Sequence, residues 1–279
     1  MKKNPYPCLW FDGNAKAAAD FYCSIFNHSK ISDDTPMVVR FEIEGRLIMG
    51  LNGGPMFKIN PSISLFVTCE TNEEIETIWN KLIEGGSAMM PLDEYPWSKK
   101  YGWLVDKFGM TWQLILGELS SGQQKIIPCF LFVGDQYGRA EEAIKMYTSI
   151  FPNSEIGRLE IYEACEPQTE GNLKFGNFKL QNELFAAMDG FGGHEFQFNE
   201  GVSLVVECDT QGEIDAYWSK LTEGGSESQC GWLKDRFGVS WQIVPTILSK
   251  LMSDPEKAPR VIQSFLKMKK MDIDTLLKA

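Results

Sequence analysis

A thirteen-residue motif that occurs twice carries the residues best suited to hold a ligand. GWLVDKFGMTWQL spans 102–114, GWLKDRFGVSWQI spans 231–243, and eight of the thirteen positions are identical. Each copy of the motif places a Gln between apolar residues, Gln113 and Gln242, and a Trp earlier in the motif, Trp103 and Trp232. Amide groups among aromatic side chains suit the recognition of a small polar or aromatic molecule.

Further polar, aromatic and sulfur-bearing side chains occur near these four in the two copies. We predict that a ligand-binding set consists of Gln113, Gln242, Trp103, Trp232, Tyr101, Cys230, Ser64, Ser203, Met49 and Met188. The alternative is that the two Gln side chains bond neighbouring backbone and that the two Trp side chains belong to the core. The residues by themselves leave both interpretations open.

Neither the motif nor the residue before it offers a convincing catalytic side chain. Cys230 is a thiol outside the apolar strands, but no basic residue or His lies near it in the sequence to generate a thiolate. Asp106 and Asp235 stand at a bend, where a carboxylate stabilises a turn more often than it acts as an acid. Gly109 and Gly238 supply the positive φ that such a bulged turn needs. We therefore predict no catalytic residue.

The cysteines and histidines argue against a zinc site. The seven cysteines show no CxxC spacing, and four of them lie at matching places in apolar runs: Cys8, Cys129, Cys69 and Cys208. Small buried thiols of this kind are typical of a core in a reducing compartment. We expect His28, in a turn, and His194, in a Gly-rich loop, to be exposed.

The composition excludes several classes of partner. The formal net charge is −11, and no Lys/Arg stripe interrupts it, which argues against nucleic acid and anionic membranes. No apolar run approaches the roughly 18–20 residues of a membrane span. Prolines and Asp12 interrupt the first residues, so a secretory signal is not expected and the predicted location is cytoplasmic.

Apolar spacing predicts the same element order in both copies. Helices with one apolar face are expected at 15–26 and 72–84, and again at 139–151 and 210–223. Both helices of the second type end at Gly-Gly-Ser, which is a C-terminal stop signal. Alternating or apolar runs between the helices predict strands.

Two segments break the repeat. The first copy has ten extra residues before its motif, in the proline-rich and aromatic segment 88–101, which we interpret as either a lid or a rigid surface loop. After Pro245 a tail follows, with helices predicted at 247–252, 255–271 and 273–278. We expect the apolar side chains of this tail to pack between the halves of the chain or on a second subunit.

The repeat resembles the vicinal-oxygen-chelate superfamily, and within it the PhnB-like proteins labelled 3-demethylubiquinone-9 3-methyltransferase-like. The resemblance rests on PCLWFDGNAKAAADFYCSIF, FEIEGRLIMGLNGG and MPLDEYPWSKKYGWLVDKFGMTWQLI, which the second copy repeats with PCFLFVGD, AIKMYTSIFPNSEI and ESQCGWLKDRFGVSWQIVP. It implies an α+β fold of two tandem glyoxalase/bleomycin-resistance-like domains. Each domain would hold two βαβββ units that form curved mixed sheets with the helices outside.

The domain bounds follow the repeat: 1–120 for the first domain, 121–246 for the second and 247–279 for the helical tail. The resemblance implies that each curved sheet cups a pocket. It also implies that one fused chain stands in for a dimer of single-copy relatives. We therefore expect a monomer that acts as a pseudo-dimer, or a homodimer.

The resemblance also implies where a metal would sit. Metal enzymes of the superfamily carry His or Glu at cup-facing strand positions, and this chain has Gln113 and Gln242 where they have Glu on the last strand. Ser64 and Ser203 are further uncharged stand-ins, so we predict no metal and no cofactor. Methyl transfer is not supported either, because Gly53-Gly54 and the glycines of 190–193 precede strand-like stretches and not helices.

We predict a metal-independent protein that binds a small molecule, to sequester it or to sense it. The alternative is a lyase, isomerase or dioxygenase with an atypical metal site such as Glu42 plus water. A third possibility is a structural role, in which the cups are filled by their own side chains.

Overall fold

The computed structural model describes residues 4–120, 122–164, 166 and 168–279; residues 1–3 of the amino-terminal stretch and Cys165 lie outside the described residues. The first copy holds β1 (Tyr6–Phe11), α1 (Ala15–Ile25), β2 (Lys30–Asp34), β3 (Val38–Ile43), β4 (Arg46–Asn52), β5 (Ile63–Cys69), α2 (Asn72–Leu82), β6 (Ser87–Tyr95), β7 (Ser98–Val105) and β8 (Thr111–Leu116). The second copy and the tail hold β9 (Ile126–Phe132), a 3-10 turn (Gly134–Gln136), α3 (Ala140–Ile150), β10 (Glu155–Ile161), β11 (Leu173–Leu180), β12 (Glu183–Asp189), β13 (Val202–Cys208), α4 (Gln211–Leu221), β14 (Ser226–Glu227), β15 (Trp232–Lys234), β16 (Ser240–Pro245), α5 (Ile247–Met252), α6 (Ala258–Phe265) and α7 (Ile273–Lys278).

The helices lie where the apolar spacing predicts them, and local capping explains their starts. Thr71 accepts a hydrogen bond from the Glu74 backbone before α2, and Thr210 forms a reciprocal capping box with Glu213 before α4. Each cap satisfies backbone N–H groups that a helix start leaves without partners. The two Gly-Gly-Ser stops begin with a glycine at positive φ, as the sequence predicts.

The chain divides into two compact units, 7–202 and the remainder. The larger unit holds a sheet of eight strands in the order β10-β11-β12-β9-β5-β8-β7-β6, with α2 and α3 packed on one face. The same unit holds the strands β1-β4-β3-β2, covered by α1. In the smaller unit the strands follow the order β14-β15-β16-β13, with α4 packed against them.

The eight-stranded sheet joins half of the first copy to half of the second. Strand β5 pairs antiparallel with β9, with Ser64 opposite Cys129 and Phe66 opposite Ile127. Strands β5–β8 come from the first copy and β9–β12 from the second. Side chains that the sequence places more than sixty residues apart therefore share one face of this sheet.

Reciprocal hydrogen bonds relate the two copies by a pseudo-two-fold axis within the larger unit. Asn60 Nδ2 donates to the carbonyl of Gln197 at 2.8 Å, and Asn199 Nδ2 donates to the carbonyl of Lys58 at 3.0 Å. Lys58 and Asn60 match Gln197 and Asn199 in the repeat. A contact that exchanges equivalent positions in this way is the mark of two-fold symmetry.

The repeated motif forms the turn that its sequence predicts. Gly109 and Gly238 have φ values of +87° and +89°. Asp106 Oδ1 accepts hydrogen bonds from the backbone N–H groups of Phe108 and Met110, at 2.8 and 3.0 Å. Asp235 makes the same two turn bonds, and in each copy the other carboxylate oxygen accepts from the Trp indole six residues later. Both aspartates therefore serve the turn.

Several strands of the larger unit differ from the sequence prediction. The edge strands β2 and β10 were not expected, because their side chains are largely exposed and carry little apolar signal. The insert 88–101 is neither a lid nor a loop: it forms most of the β6–β7 hairpin at the edge of the sheet. Its irregular register explains why the alternating pattern is weak in the sequence.

The tail is less helical than predicted between 255 and 271. Helix α6 ends at Phe265, and the backbone beyond it runs beside the motif of the second copy. The carbonyls of Met268 and Lys269 accept hydrogen bonds from the N–H groups of Cys230 and Gly231, both at 2.7 Å. Those pairings need an extended backbone, so the helix cannot continue through them. Among the described residues, no helix is long and apolar enough to cross a membrane.

The four matching cysteines are buried thiols, as predicted for the core. His28 is exposed and has a positive φ of 48° in its turn. His194 is only half-exposed, which differs from the prediction, because its ring contacts Phe196 and bonds the carbonyl of Phe191.

Candidate functional site

One face of the eight-stranded sheet carries polar groups at its centre. Because side chains alternate along each strand, Ser64 and Gln113 point to the same side as Tyr101 and Cys129. The opposite face carries apolar side chains such as Trp112 that are fully covered. We call the face that bears these four side chains the Gln113 cup, and the four side chains its floor.

The floor is a chain of hydrogen bonds between side chains. Tyr101 Oη donates to Gln113 Oε1 at 2.7 Å, and Gln113 Nε2 donates to Ser64 Oγ at 2.7 Å. Gln113 and Ser64 also bond the Cys129 thiol. The alternative that Gln113 bonds only neighbouring backbone is therefore wrong for this copy. Each amide atom is committed, so the Gln113 orientation is determined by its neighbours.

The floor is uncharged over a wide pH range. Burial raises the pKa of the Cys129 thiol to about 12, and the bonds from Gln113 and Ser64 offset this only in part. Burial likewise raises the pKa of the Tyr101 hydroxyl. Both groups stay protonated at neutral pH and act as neutral hydrogen-bonding groups.

Half-buried apolar side chains form the wall of the Gln113 cup. They pack around Tyr101 and Cys129 and comprise Met90, Tyr95, Trp103, Ile115, Phe175, Leu184 and Met188, together with the buried Phe66, Ile127 and Ala186. Phe66 and Phe175 stand three strands apart, about 14 Å in a flat sheet. Their ring centroids are nevertheless 5.5 Å apart. The two rings therefore lean towards each other across this face.

The β6–β7 hairpin places aromatic rings beside the floor. Tyr95 stacks on Trp97 with centroids 5.0 Å apart, and both rings meet Tyr101 edge-on at 5.7 and 6.0 Å. Trp97 is 55% exposed, so this cluster reaches from the floor to solvent. The insert of the first copy thus adds an aromatic rim that the second copy lacks.

Trp103 contributes an unused donor. It lies opposite Gln113 in the β7–β8 pair, so both side chains share the cup face. Its ring is half-exposed, but Nε1 is shielded from solvent and has no hydrogen-bond partner among the described residues. Thr111, two residues before Gln113 on the same face, has a buried hydroxyl without a partner as well. Buried polar groups without partners are costly and point to a missing hydrogen-bonding group.

The matching residues of the second copy form a smaller set. Gln242 Nε2 donates to Ser203 Oγ at 3.0 Å, and Trp232 lies opposite Gln242 in the β15–β16 pair. Cys230 stands at the position of Tyr101, but its thiol bonds the carbonyl of Phe265 in the tail at 3.8 Å. Gln242 therefore has no phenol to donate to its amide oxygen from that position.

The two methionines of the predicted set are not equivalent. Met188 packs with the Gln113 cup although it comes from the second copy. Met49 lies in β4, in the sheet covered by α1, where it pairs with Cys8. In the second copy the residue that matches Cys8 is Cys129, and Cys129 pairs with Ala186. Met49 thus corresponds to Ala186 and is not brought to the Gln113 cup. Only the strand register could distinguish them.

The floor does not fit a divalent metal. Its donors are an amide, two hydroxyls and a protonated thiol, all bonded to one another, whereas such metals prefer carboxylate or imidazole ligands. No group of three or more His, Cys, Asp and Glu side chains within the described ranges could hold a metal ion. Glu42, the ligand considered for an atypical site, lies on β3 outside this sheet and pairs with Lys30 at 3.3 Å.

Several cup residues escape prediction from the sequence. Cys129 resembles its three counterparts in apolar runs, and nothing local marks it as the one beside Gln113. Phe66, Phe175 and Tyr95 come from two copies and three separate segments. The only local signal was the aromatic content of the insert 88–101.

The comparisons with known proteins agree with the repeat. A family model described as 3-demethylubiquinone-9 3-methyltransferase matches residues 3–115 and again 124–244. Among solved structures, the PhnB protein from Bacillus cereus is 39% identical over 40% of this chain and 98% of its own, with a TM-score of 0.38. Glyoxalase I from Zea mays is 11% identical over 90% of this chain and 96% of its own, with a TM-score of 0.58. The last of these shows a shared fold. No curated protein matches the chain significantly.

Proposed function

The chain belongs to the 3-demethylubiquinone-9 3-methyltransferase family, as a tandem PhnB-like member of the vicinal-oxygen-chelate superfamily, and from this premise we propose that it binds a small molecule without a metal. The bound molecule would be sequestered or sensed. The observation that carries the proposal is the Gln113 cup, where a neutral polar floor lies inside a half-exposed apolar wall. Few convergent polar groups in a concave apolar face are typical of ligand sites.

The neutral floor supports binding in preference to metal-assisted chemistry. Gln113 Oε1 already accepts a hydrogen bond from Tyr101, and a neutral amide oxygen is a weaker metal ligand than a carboxylate. The thiol of Cys129 would have to lose a proton held with a pKa of about 12 before it could bind a metal, which is unfavourable at neutral pH.

The family description names a methyl transfer, but the glycine-rich turns among the described residues form no cradle for a nucleotide-type methyl donor. Such donors usually meet a glycine-rich turn between a strand and a helix. Here Gly53 and Gly54 follow β4 and lead to β5, and the glycines of 190–193 follow β12 and lead to β13. Gly53 also approaches the Trp10 ring so closely that a Cβ would lie 2.2 Å from it. Packing against Trp10 explains that glycine.

We propose further that the fused chain works as a pseudo-dimer, either as a monomer or paired into a homodimer, in the cytoplasm. The reciprocal contacts of Asn60 and Asn199 support the pseudo-dimer. The bounds 1–120, 121–246 and 247–279 remain our proposal for the segments that duplication and extension added. The proposed partner remains a small molecule, and neither nucleic acid nor a membrane is proposed.

Two measurements on the full chain test the proposed function. Elemental analysis of the purified protein is expected to find no stoichiometric divalent metal. A thermal-shift screen against a broad library of aromatic and carbonyl compounds is expected to find stabilising ligands whose effect is lost in Gln113→Ala. A stoichiometric metal that Gln113→Ala removes would contradict the proposal. Silence across the library would favour a purely structural role for the filled cup.

A further inference from the structure

The hydrogen-bonding needs of the Gln113 cup define the chemistry of its occupant. The floor satisfies itself through Tyr101, Gln113 and Ser64. Two donors on this face have no partner among the described residues: the Thr111 hydroxyl, whose residue is fully buried, and Trp103 Nε1, whose ring is half-exposed and can meet a ligand. An indole N–H can only donate. The group that completes this site must therefore be an acceptor, such as a carbonyl oxygen.

Charge on the occupant would be unfavourable. The side chains that alternate onto the cup face from the four central strands are all uncharged: Ser64, Phe66, Thr68, Thr111, Gln113, Ile115, Ile127, Cys129, Leu131, Leu184, Ala186 and Met188. The nearest ionisable floor groups, Tyr101 and Cys129, stay protonated because burial raises the pKa of each. A carboxylate or ammonium placed over the floor would lose its hydration without a counter-charge among these central side chains, because Lys179, opposite Leu184, stands exposed on the flanking strand β11.

The wall favours a flat aromatic molecule. Phe66 and Phe175 offer ring faces on one side, and the Tyr95–Trp97 stack reaches Tyr101 on the other. Aromatic rings in offset or edge contact gain about 0.5–1.5 kcal/mol beyond the burial of their area. A planar ring system can make such contacts with several of these side chains at once.

We propose that the Gln113 cup binds an uncharged, flat aromatic compound whose carbonyl oxygen accepts a hydrogen bond from Trp103 Nε1. This inference rests on the proposed function and specifies the class of ligand at the same site. Trp103 acts as the residue that distinguishes a carbonyl-bearing ligand from a hydrocarbon of the same shape.

Matched probes test the inference on the full chain. We would titrate wild-type protein and variants with 1-tetralone, with tetralin, which lacks the carbonyl, and with 1-naphthoate, which is an anion. Trp103→Phe keeps an aromatic ring and removes the N–H. Trp79→Phe is the control, because Trp79 is a half-exposed Trp of α2 that packs against Gly102 on the helix-covered face.

The expected result is that 1-tetralone binds wild-type protein more tightly than the other two probes. Trp103→Phe should weaken 1-tetralone by about three- to tenfold, the worth of one net hydrogen bond, and leave tetralin unchanged. Trp79→Phe should leave both affinities unchanged. Tetralin binding by Trp103→Phe also reports that the variant is folded.

Three outcomes of the probe titrations overturn the inference while the proposed function stands. They are equal affinity of wild-type protein for 1-tetralone and tetralin, tighter binding of 1-naphthoate, and equal weakening of 1-tetralone and tetralin by Trp103→Phe. Gln113-dependent binding only of library members outside this class also overturns it. If no compound of the broad library binds, the proposed function fails and this inference fails with it.

Discussion

Arg46 and Glu183 occupy equivalent positions in the two copies, the first residues of β4 and β12, and their side chains form an ion pair with an Nη1–Oε2 distance of 2.6 Å. The Arg46 side chain is 2% exposed and donates to the carbonyls of Ile126 and Leu184. Burial lowers the pKa of Arg46 to about 10, so it stays charged at neutral pH. Two identical copies would bring like residues together at such a place. The opposite charges therefore favour pairing of the first copy with the second.

Removing either partner of this pair should destabilise the fold. We expect Arg46→Met to lower the free energy of unfolding by about 3 kcal/mol, because Glu183 loses its counter-charge in a largely buried place. Urea unfolding of Arg46→Met, Glu183→Met and the double variant measures the coupling between them. Strict additivity of the two single effects would show that the pair does not act as a unit. Lys16→Met, which breaks an exposed pair with Asp20, should leave the free energy of unfolding nearly unchanged.

The two glutamines of the repeated motif should differ in their contribution to stability. Gln113→Ala removes the hydrogen-bond partner of both Tyr101 Oη and Ser64 Oγ. We therefore expect the free energy of unfolding to fall by about 2–3 kcal/mol. Gln242→Ala interrupts one side-chain bond, to Ser203, and should cost about 1 kcal/mol. Denaturant unfolding of the two variants provides the comparison. Equal losses of stability in Gln113→Ala and Gln242→Ala would contradict the difference between the hydrogen bonds of the two glutamines.

A single ligand equivalent per chain is expected. Only the first copy has a phenol, Tyr101, that bonds the motif Gln, since Cys230 replaces it in the second copy and bonds the tail. Isothermal titration calorimetry with the best stabilising compound should give a stoichiometry of one, and Tyr101→Phe should weaken binding because it frees the Gln113 amide. A stoichiometry of two would show that the Gln242 set binds independently.

Stability should fall at alkaline pH through the Cys129 thiol. Burial raises its pKa from 9.0 to about 12, so the folded state holds this proton over a range where the unfolded state has lost it. The stabilisation is complete below about pH 9 and disappears as the pH rises to about 12, with a slope near 1.4 kcal/mol per pH unit. Cys129→Ala should unfold with a shallower pH dependence between pH 9 and 11. Identical slopes in the two proteins would count against the raised pKa.

A glycine after α2 should not tolerate a side chain. A Cβ at Gly86 would lie 2.1 Å from the carbonyl oxygen of Val105, and one at Gly225 would lie 2.0 Å from that of Lys234. We expect Gly86→Ala to lower the melting temperature strongly, with a loss above about 2 kcal/mol. Gly212→Ala in α4 is the matched control, since a Cβ there would lie 4.0 Å from its nearest neighbour, Thr210 Oγ1, and the substitution should stabilise by about 0.5 kcal/mol. A neutral Gly86→Ala would mean that the backbone can shift away from Val105.

Local patterns in the sequence account for the elements that depend on near neighbours. The turn of the repeated motif needs only Asp106 and Gly109, which lie three residues apart, and the prediction for it is confirmed. The helix starts at Thr71 and Thr210 are equally local. The edge strand β2 and the β6–β7 hairpin were not predicted, because exposed edge strands carry weak apolar periodicity.

The sequence by itself determined the family, the duplicated order of the helices and central strands, and the residue types available at the cup-facing strand positions. Only the tertiary structure decided that β5 pairs with β9, and therefore that Cys129 and Met188 of the second copy meet Gln113 of the first. The physical reason is that strand pairing depends on partners distant along the chain, and the two copies offer nearly the same apolar edges. Tyr101 and Trp103 illustrate the same limit. The sequence offers both as aromatic candidates for the ligand site, but the Tyr101 hydroxyl bonds Gln113, whereas Trp103 Nε1 has no partner among the described residues.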